Sequence, residues 1–399
     1  MVSTTEMIFP KARIPYGTWG ASYFPAWQTS PLAEVNIGQF AAESMNRILG
    51  IRRVPIKKLD YLVSASTVPW HWKFWNSPTL SSLMDHRVPG FHLEQACATG
   101  LQSVIHAAAE VEAGDKEVVG VLTFDRTSDS PASIFPERRA YRRTEVISDV
   151  WDNFGFDPAT EKSMIAAAGN VARKYRLDRS EVDELAAHRY QQYFDTVESD
   201  FHQAVMVPLE ILNVQGRSMG VIDQDLGVKQ ISISAMREMS ELDSCVTSGT
   251  QTHAGDGMAC LLVTNEEQAA ELSSKPEIKI SLVAKSEVRT GPSLMPEAPT
   301  LAVKRILERT GLTIDDMGVI KSHNPFAVND LVLAHQLDFN WRMMNNTGCS
   351  LVWGHPQGPT LTRLIIEGLE EGVRLGGGYV LICGCAAGDV GIAAIFKVS

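Results

Sequence analysis

The chain has 399 residues, of which 44% are hydrophobic and 21% charged, and its formal net charge is −11. This length suits two or three packed domains of an ordinary globular protein. An acidic chain without a long run of Lys or Arg is a poor nucleic-acid binder, and no apolar stretch reaches the roughly 18 residues of a membrane span. Residues 1–9 lack the pattern of a signal peptide. We therefore expect a cytoplasmic protein with no nucleic-acid and no membrane partner.

The cysteine spacing argues against a disulfide framework and against a metal site within this chain. There are six cysteines, namely Cys97, Cys245, Cys260, Cys349, Cys383 and Cys385. They form no CxxC pair and no His/Cys zinc pattern, and Cys383 and Cys385 are too close in sequence for an easy mutual disulfide. Free thiols in a reducing cytosol are the expected state.

Alternating helix and strand patterns predict an α/β protein. In chain order, apolar runs predict strands at 59–66, 88–94, 118–124, 259–264, 317–321, 379–383 and 392–398. Helices are predicted at 100–113, 162–175, 178–197 and 266–272, the third opening with Asp178 and Glu181 at capping-box spacing. The last two strands should pair across a tight turn. Residues 128–157 show no clear period and predict a long excursion.

Several residues stand where chemistry could take place, each with a structural alternative. Cys97 opens a helix, whose dipole favours a thiolate, but it could be a buried structural cysteine. His355 lies on a loop constrained by Gly and Pro. Cys385 lies among small residues that admit a ligand to the backbone, or it is merely a small residue in a turn. His323 follows a strand and could be a capping or packing histidine, and Asp256 alone reads as a turn residue.

An aromatic cluster lies between the first two predicted strands. Its members are Trp70, His71, Trp72, Phe74 and Trp75. It could be a hydrophobic plug, a subunit contact or a wall for a bulky acyl group. The glycines at 376–378 precede a strand, whereas a dinucleotide-binding glycine loop follows one, so no dinucleotide site is predicted there.

Taken together, segments along nearly the whole chain resemble the thiolase superfamily, in the family's order. The matching segments are residues 13–17, 97–101, 164–192, 248–257, 345–358 and 385–391. Residues 13–17 are similar to the family's Arg-Thr-Pro-x-Gly start, residues 97–101 to its nucleophile motif Cys-x-Ser/Thr-Gly, and residues 164–192 to its loop-domain helices. Residues 248–257 are similar to the segment ending Asn-Asp-Gly, residues 345–358 to the Gly-His-Pro-x-Gly segment, and residues 385–391 to the closing Cys-x-Gly-Gly-Gly-x-Gly.

The resemblance implies a duplicated α/β thiolase fold with αβαβα layering: two similar α/β halves bury helices between two mixed sheets, and a loop domain is inserted between the halves. We place the N-terminal half at 1–128, the loop domain at 129–243 and the C-terminal half at 244–399. The family further implies a tight homodimer, with assembly to tetramers. Acyl-CoA and CoA are the implied ligands, CoA acting as a substrate, and no permanently bound cofactor is expected.

The resemblance also assigns roles to residues. Cys97 would attack the keto carbon of a 3-oxoacyl-CoA, with His355 as its base and Cys385 as the acid and base of the second half-reaction. The backbone N–H groups of Cys97 and Ala387 would form one oxyanion hole. His355 and a water held by His323 would form the other. Thr252 aligns with the serine that usually faces CoA, and His253 replaces a glycine beside it.

Departures from the family pattern indicate an atypical branch. Asn324 and Pro325 replace the Glu-Ala of the usual Asn/His-Glu-Ala-Phe, so the carboxylate is lost. Thr360 stands where the serine after Gly-His-Pro-x-Gly is usual. The chain as a whole, with its aromatic-rich N-terminal half, resembles the thiolase subunit of benzoylsuccinyl-CoA thiolases. These enzymes work with a small subunit that carries a zinc ribbon and an OB-type domain. This implies degradation of a bulky or aromatic acyl group, a hetero-oligomer, and zinc held by the partner.

Two other functions remain open at this point. A ketosynthase-like condensing enzyme uses Cys with two His, or with His and Asn, and has no second Cys, so Cys385 favours a thiolase. A non-catalytic scaffold subunit would not need Cys97, His355 and Cys385 together. The phosphate contacts of CoA are not evident, since the basic residues of 138–143 could equally form a solvated or partner-facing surface.

Overall fold

The computed structural model describes residues 8–128, 130–135, 145–213 and 215–399. The strands are β1 (Gly20–Ala21), β2 (Tyr61–Ala65), β3 (Gly90–Leu93), β4 (Val118–Arg126), β5 (Ala132–Phe135), β6 (Glu145–Ser148), β7 (Leu209–Leu212), β8 (Ser218–Ile222), β9 (Asp256–Thr264), β10 (Ile280–Arg289), β11 (Met317–His323), β12 (Gly378–Ala386) and β13 (Val390–Val398).

The helices are α1 (Ile37–Ile51), α2 (Asn76–Leu83), α3 (Thr99–Ala113), α4 (Trp151–Gly155), α5 (Met164–Tyr175), α6 (Arg179–Val197), α7 (Phe201–Val205), α8 (Ile233–Arg237), α9 (Glu266–Leu272), α10 (Ala298–Thr310), α11 (Ala327–Leu337), α12 (Ser350–Trp353) and α13 (Gly358–Arg374). Across the part of the chain that the structure describes, none of these helices has both the length and the apolarity needed to cross a membrane.

Two mixed sheets form the framework. The first has the strand order β1-β9-β4-β2-β3, with β2 parallel to both β3 and β4, and β9 antiparallel to β4. The second has the order β10-β13-β12-β11, with β11 parallel to β12. The predicted pairing of the last two strands is confirmed, since β12 and β13 run antiparallel from Gly378 opposite Val398 to Ala386 opposite Val390. Strand β9 joins the first sheet although it follows the long middle segment.

Helices α3 and α13 lie between the sheets. Helix α13 packs against β4 and β9 on one side and against β11 and β12 on the other, and it also contacts α3. The two helices approach closely because Gly100 faces Gly358: a Cβ at Gly100 would lie 2.6 Å from the Gly358 carbonyl oxygen. Helices α1 and α2 cover the outside of the first sheet, and α10 covers the outside of the second. The predicted αβαβα layering is therefore confirmed.

The middle segment departs from the sequence-based expectations in its details. The predicted excursion contains a hairpin of β5 and β6 and the short helix α4. The helix from Arg179 begins as predicted, and Asp178 caps it by accepting from the Ser180 N–H at 2.9 Å. The predicted capping box is wrong, because Glu181 instead contacts His335, with 3.0 Å between Oε1 and Nε2. A tertiary contact has replaced the local one.

Candidate active site

Cys97 lies at a sharp turn between strand β3 and helix α3. Ala96, which precedes it, adopts a left-handed backbone with φ of +42°, an uncommon conformation for a residue with a Cβ. The turn places Cys97 two residues before the start of α3, and only 4% of its surface is exposed. Backbone strain of this kind persists where the surrounding structure holds it, and it is concentrated at functional sites.

His355 lies opposite Cys97, on the loop between α12 and α13. Its Nε2 is 3.1 Å from Cys97 Sγ, and its Nδ1 is 2.7 Å from the hydroxyl of Thr360, in the first turn of α13. Its backbone N–H donates to the His253 carbonyl oxygen at 2.8 Å. The imidazole is therefore held from both sides, with one ring nitrogen directed at the thiol.

Burial favours the neutral forms of both groups. It raises the pKa of Cys97 to about 12, an effect opposed by the backbone N–H groups of Ala387 and Cys97. It also lowers the pKa of His355 to about 3. At neutral pH the site therefore holds a thiol and a neutral imidazole, which can accept the thiol proton as a bond forms at sulfur. The two N–H groups near the sulfur are the pair that the family resemblance predicts for an oxyanion hole.

His323 lies beside His355 at the end of β11. The two ring centroids are 4.2 Å apart, and the planes are inclined by 36°. The Nδ1 atom of His323 is 2.7 Å from the Ser350 hydroxyl, whereas its Nε2 is buried without a hydrogen-bond partner among the described residues. Burial lowers the pKa of His323 well below its ordinary value, and neighbouring His355 lowers it further.

Cys385 is the next-to-last residue of strand β12 and is fully buried. The side-chain amide of Asn329 donates to its Sγ at 3.4 Å. Burial raises the pKa of Cys385, and the nearby Cys97 raises it further. The structure thus brings Cys97, His323, His355 and Cys385 to one place. Asn329 was not predicted from the sequence. Its position near the start of α11, the helix that follows the His323 segment, was the signal that could have found it.

A buried polar network supports the histidines. The carboxylate oxygen Oδ2 of Asp330 accepts from Asn324 Nδ2 at 2.8 Å, from Arg189 Nε at 2.9 Å and from Asn345 Nδ2 at 3.2 Å. Asn324 in turn accepts from the Ser350 hydroxyl at 3.2 Å. Asp330 thus holds the Asn324 side chain, which contacts Ser350 and, through it, the His323 ring.

A second buried carboxylate fixes the loops around the nucleophile. Asp125, in β4, accepts from the backbone N–H groups of Thr67, Val68 and Gly358, each at 2.8 Å. Burial raises the pKa of Asp125 to about 7, and these hydrogen bonds oppose the shift. Because Gly358 begins α13, Asp125 ties the His355 loop to the first sheet.

An apolar cavity of about 430 Å³ opens onto the Cys97–His355 pair. Its walls include Trp27, Trp151, Phe154, Met164, Ile165, Met295 and Phe326. The ring centroids of Trp27 and Trp151 are 4.8 Å apart, with the ring planes inclined by 58°. Thr252 and His253 line this cavity as well, but the Thr252 hydroxyl donates to the Ser350 carbonyl oxygen at 2.5 Å. An incoming ligand would therefore meet the Thr252 oxygen as an acceptor.

A second cavity, of about 310 Å³, is more polar and shares Phe154, Met164 and Met295 with the first. It reaches the other side of the turn at Cys97, where Ala387 and Gln357 line it. Gln357 has a φ of +64° and is 7% exposed. Within the described part of the chain, no hydrogen bond holds its side-chain amide. A polar group is thus held facing a cavity without a protein partner.

The aromatic cluster lies elsewhere. Trp70 is buried and packs edge-on against Phe124, with ring centroids 5.3 Å apart. Phe74 and Trp75 are 88% and 65% exposed, and no member of the cluster lines either cavity. The interpretation of this cluster as an acyl wall is therefore wrong, because the turn directs these side chains into the core or to the surface.

Three other predictions have different outcomes. Asp256 is no turn residue: it is fully buried at the start of β9, where it accepts from the backbone N–H groups of Thr127 and Ser128 at 2.7 and 2.9 Å. The basic stretch Arg138, Arg139, Arg142 and Arg143 lies outside the described residues. The sequence predicted no metal site from ligand spacing, yet the fold brings one donor atom each of Cys97, His323 and His355 within 4.8 Å of one another.

The comparisons with known proteins agree with this geometry. "Thiolase, N-terminal domain" matches residues 29–267, and "Thiolase, C-terminal domain" matches residues 276–398. The chain therefore belongs to the thiolase family, and it is an acyltransferase.

Its similarity to individual members is modest. The chain is 26% identical over 327 residues to an acetyl-CoA acetyltransferase of Allochromatium vinosum, with 79% of this chain and 81% of that protein covered. It is also 26% identical to a beta-ketoadipyl-CoA thiolase of Acinetobacter baylyi, over 78% of this chain and 80% of that one. The human mitochondrial 3-ketoacyl-CoA thiolase in complex with CoA superposes with a TM-score of 0.87 at 20% identity, over 99% of this chain and all of that one.

Proposed function

We propose that this chain is a degradative thiolase, which cleaves a 3-oxoacyl-CoA with CoA through an acyl-enzyme on Cys97. The observation that carries the proposal is the 3.1 Å contact between Cys97 Sγ and His355 Nε2 at the wall of a cavity. Cys385 lies close enough to Cys97 for the two thiols to interact electrostatically. One nucleophile, one base and a second thiol are the groups that two half-reactions need.

In the first half-reaction, the Cys97 sulfur attacks the keto carbon while its proton passes to His355 Nε2. The N–H groups of Cys97 and Ala387 stabilise the oxyanion, a contribution whose loss typically costs about 10²–10³ in rate. The bond between C2 and C3 then breaks, and the electron pair goes to the departing acyl-CoA as an enolate. The thiol of Cys385 protonates this enolate and becomes a thiolate.

In the second half-reaction, the Cys385 thiolate takes the proton of the CoA thiol. The CoA sulfur attacks the acyl carbon on Cys97, and collapse of the tetrahedral intermediate expels the Cys97 sulfur. The proton held on His355 returns to that sulfur. All groups regain their starting protonation states. His323, next to His355, would hold a water at the enolate oxygen.

For the substrate, we infer a bulky or aromatic acyl group such as that of benzoylsuccinyl-CoA. The cavity of about 430 Å³ opens onto Cys97 and shares walls with the cavity of about 310 Å³, and Trp27, Trp151 and Phe154 offer flat apolar walls to the first. The free amide of Gln357 in the second cavity fits an acyl branch that carries an oxygen, such as a carboxylate or keto group. CoA enters as a substrate beside Thr252 and His253, and no resident cofactor takes part.

The proposal includes two partner surfaces, the first of them for a second copy of this chain. The position of β3 at the edge of the first sheet supports the proposal of a homodimer core. The exposed Phe74 and Trp75 lie near its end, because Lys73 pairs with Glu94 at 2.8 Å. A Trp75→Glu variant should then sediment as a monomer, whereas an unchanged dimer would place the interface elsewhere.

A small zinc-ribbon/OB-type subunit is the second candidate partner. Its support is the hairpin of β5 and β6, which exposes Ile134, Phe135 and Val146 by 64%, 52% and 59%. If Ile134→Glu left binding of such a subunit unchanged, this hairpin would not be its docking surface. A reducing, cytoplasmic setting belongs to the same proposal, because the thiols of Cys97 and Cys385 act only when reduced.

Intact-protein mass spectrometry tests the proposal. The enzyme is incubated with 3-oxoacyl-CoAs, including aromatic ones, with and without free CoA. A mass increase that maps to Cys97 and disappears on adding CoA is expected, and Cys97→Ala should show none while Cys245→Ala behaves as wild type. If no substrate acylates Cys97 in the chain alone or with a partner subunit, the scaffold interpretation replaces this one.

A Cys385→Ala variant separates a thiolase from a ketosynthase-like condensing enzyme. In a thiolase the variant should accumulate little product, because neither the enolate nor the CoA thiol finds its proton partner. A condensing enzyme would hardly be affected, since its chemistry does not use a second thiol. Full turnover by Cys385→Ala would therefore contradict the proposed mechanism.

A further inference from the structure

We propose that Cys97, His323 and His355 also form a binding site for a zinc-like divalent cation, and that such an ion switches the enzyme off by capturing its nucleophile. The proposal does not depend on the acyl substrate or on the direction of the reaction. It rests on the geometry of three buried side chains and on the groups that orient them.

The donor atoms converge. The Cys97 sulfur and one ring nitrogen from each histidine lie within 4.8 Å of one another, and His355 Nε2 is 3.1 Å from the sulfur. Thiolate sulfur and neutral imidazole nitrogen are the ligands that Zn²⁺ prefers in proteins. Three protein ligands with a free fourth position, filled by water, form a familiar zinc geometry.

Both imidazoles are already oriented for this role. The hydroxyl of Thr360 lies 2.7 Å from His355 Nδ1, and that of Ser350 lies 2.7 Å from His323 Nδ1. A metal-binding histidine usually has its outer nitrogen held by a polar group in this way, which fixes the ring and the tautomer. In both residues the nitrogen opposite this hydroxyl is Nε2: that of His355 lies 3.1 Å from the Cys97 sulfur, and that of His323 has no hydrogen-bond partner among the described residues.

His323 supplies the independent indication of a ligand. Its side chain is fully buried, and its Nε2 has no hydrogen-bond partner among the residues that the structure describes. Buried polar atoms are nearly always paired, so an unpaired one calls for an explanation. A cation, or the water that it would displace, satisfies this nitrogen.

The binding step balances without a further reactant. The thiol of Cys97 loses its proton to solvent, and the sulfur donates an electron pair to Zn²⁺ while the two neutral imidazoles donate one each. Nothing is oxidised or reduced. The complex carries one net positive charge, and the Asp125 carboxyl group is near enough to interact with the Cys97 site. A coordinated sulfur cannot attack a keto carbon, so turnover stops until the ion leaves.

Cobalt titration of the full-length, chelator-treated enzyme gives a readout independent of activity. One Co²⁺ per chain should produce a thiolate-to-cobalt absorption band in the near ultraviolet, and Zn²⁺ should abolish it by competition. Enzyme alkylated at Cys97 by iodoacetamide should show no band. A chelator should restore activity to zinc-inhibited enzyme.

Matched variants decide whether these three residues are the ligands. His323→Ala should weaken cobalt binding by more than about 100-fold, whereas Ser350→Ala, which only releases the outer nitrogen, should weaken it by about 10–100-fold. Cys245→Ser removes a thiol outside the set and should bind as wild type does. His323→Asn serves as a second variant in case His323→Ala does not fold.

The proposal is overturned if folded Cys97→Ala or His323→Asn binds Co²⁺ as tightly as the wild type, or if the wild type gives no thiolate-to-cobalt band. Binding at a different site would give the first result, and a centre too narrow for an ion would give the second.

Discussion

The two sides of the site are built in different ways. Cys97 is placed by backbone: a short strand, a left-handed residue at position 96 and the start of α3. The residues facing it, His323, His355 and Cys385, are placed by side chains, each of which contacts a named partner: Ser350, Thr360 and Asn329 respectively. The nucleophile side is therefore sensitive to chain geometry, and the acid–base side is sensitive to its polar neighbours.

This difference indicates which substitutions are informative. On the nucleophile side, a change must alter the turn itself, which endangers folding. On the acid–base side, single polar groups can be removed while the sheets and helices remain. The predictions that follow therefore concern mainly the second side, from the largest expected effect to the smallest.

His355→Ala should slow acylation of Cys97 by about 10²–10⁴, the usual contribution of a general base. Among the residues that the structure describes, the thiol would then have no acceptor within hydrogen-bond distance for its proton. Single-turnover acylation, followed by mass spectrometry of quenched samples, measures this rate. Thr360→Val is the matched control: it keeps the imidazole but removes its orienting hydroxyl, and we expect a loss of about tenfold, equivalent to one hydrogen bond. Equal losses in both variants would mean that orientation, and not proton transfer, limits the step.

Arg189→Met tests the buried network beneath the acid–base side. The variant leaves the Asp330 carboxylate buried without its cation, which should cost about 3–5 kcal/mol in the free energy of unfolding. Urea unfolding measures this change. Lys73→Met is the comparison from the nucleophile side: its exposed pair with Glu94 should contribute at most about 1 kcal/mol. A loss below 1 kcal/mol for Arg189→Met would show that the network does not stabilise the fold.

The backbone-built side was the more predictable from sequence. Local periodicity in the sequence indicates strands and helices, so β4, α3 and the pairing of β12 with β13 were predicted correctly. The position of Cys97 before a helix follows from the same local pattern. The short elements around 132–155 have too few apolar repeats to show a period, and they were predicted only as an excursion.

The side-chain-built side was predicted only in its principal residues. His355, His323 and Cys385 were found through motif resemblance, but Asn329 and Asp330 were not. These two act through contacts with residues distant in sequence, such as the 2.9 Å bond from Arg189 to Asp330 across 141 positions. Local patterns carry no information about such pairs. The aromatic walls of the cavity were not predicted for the same reason, because Trp27 and Trp151 come into contact only in the folded chain.

The pH dependence of Cys97 alkylation distinguishes a neutral pair from an ion pair. With the pKa of Cys97 raised to about 12, the thiolate fraction rises with pH throughout the accessible range. Alkylation by iodoacetamide should therefore accelerate about tenfold per pH unit between pH 7 and 9, since the thiolate is the reactive form. Peptide mapping isolates the signal of Cys97 from the other thiols. A rate that is flat across this range would instead indicate a thiolate–imidazolium pair.

Gln357→Met should have the smallest effect, and a selective one. Met has a similar length but cannot donate or accept at the amide position, so acyl branches that carry an oxygen should lose about 2–10-fold in kcat/KM, the value of one neutral hydrogen bond. Unbranched alkyl substrates should lose nothing by this route. Gln357→Glu is the matched variant, because it bears the same backbone cost at φ of +64° while presenting a carboxylate.

The three side chains at position 357 together identify the group that the second cavity receives. If the branch carries a carboxylate, Glu should be worse than Met, since like charges repel at short range. If the branch carries a neutral keto oxygen, Glu and Met should be similarly impaired, because both lack the donor. Equal losses for oxygen-bearing and alkyl substrates would trace the effect to the backbone at position 357. Substrate selection would then depend on the apolar walls shared by the two cavities.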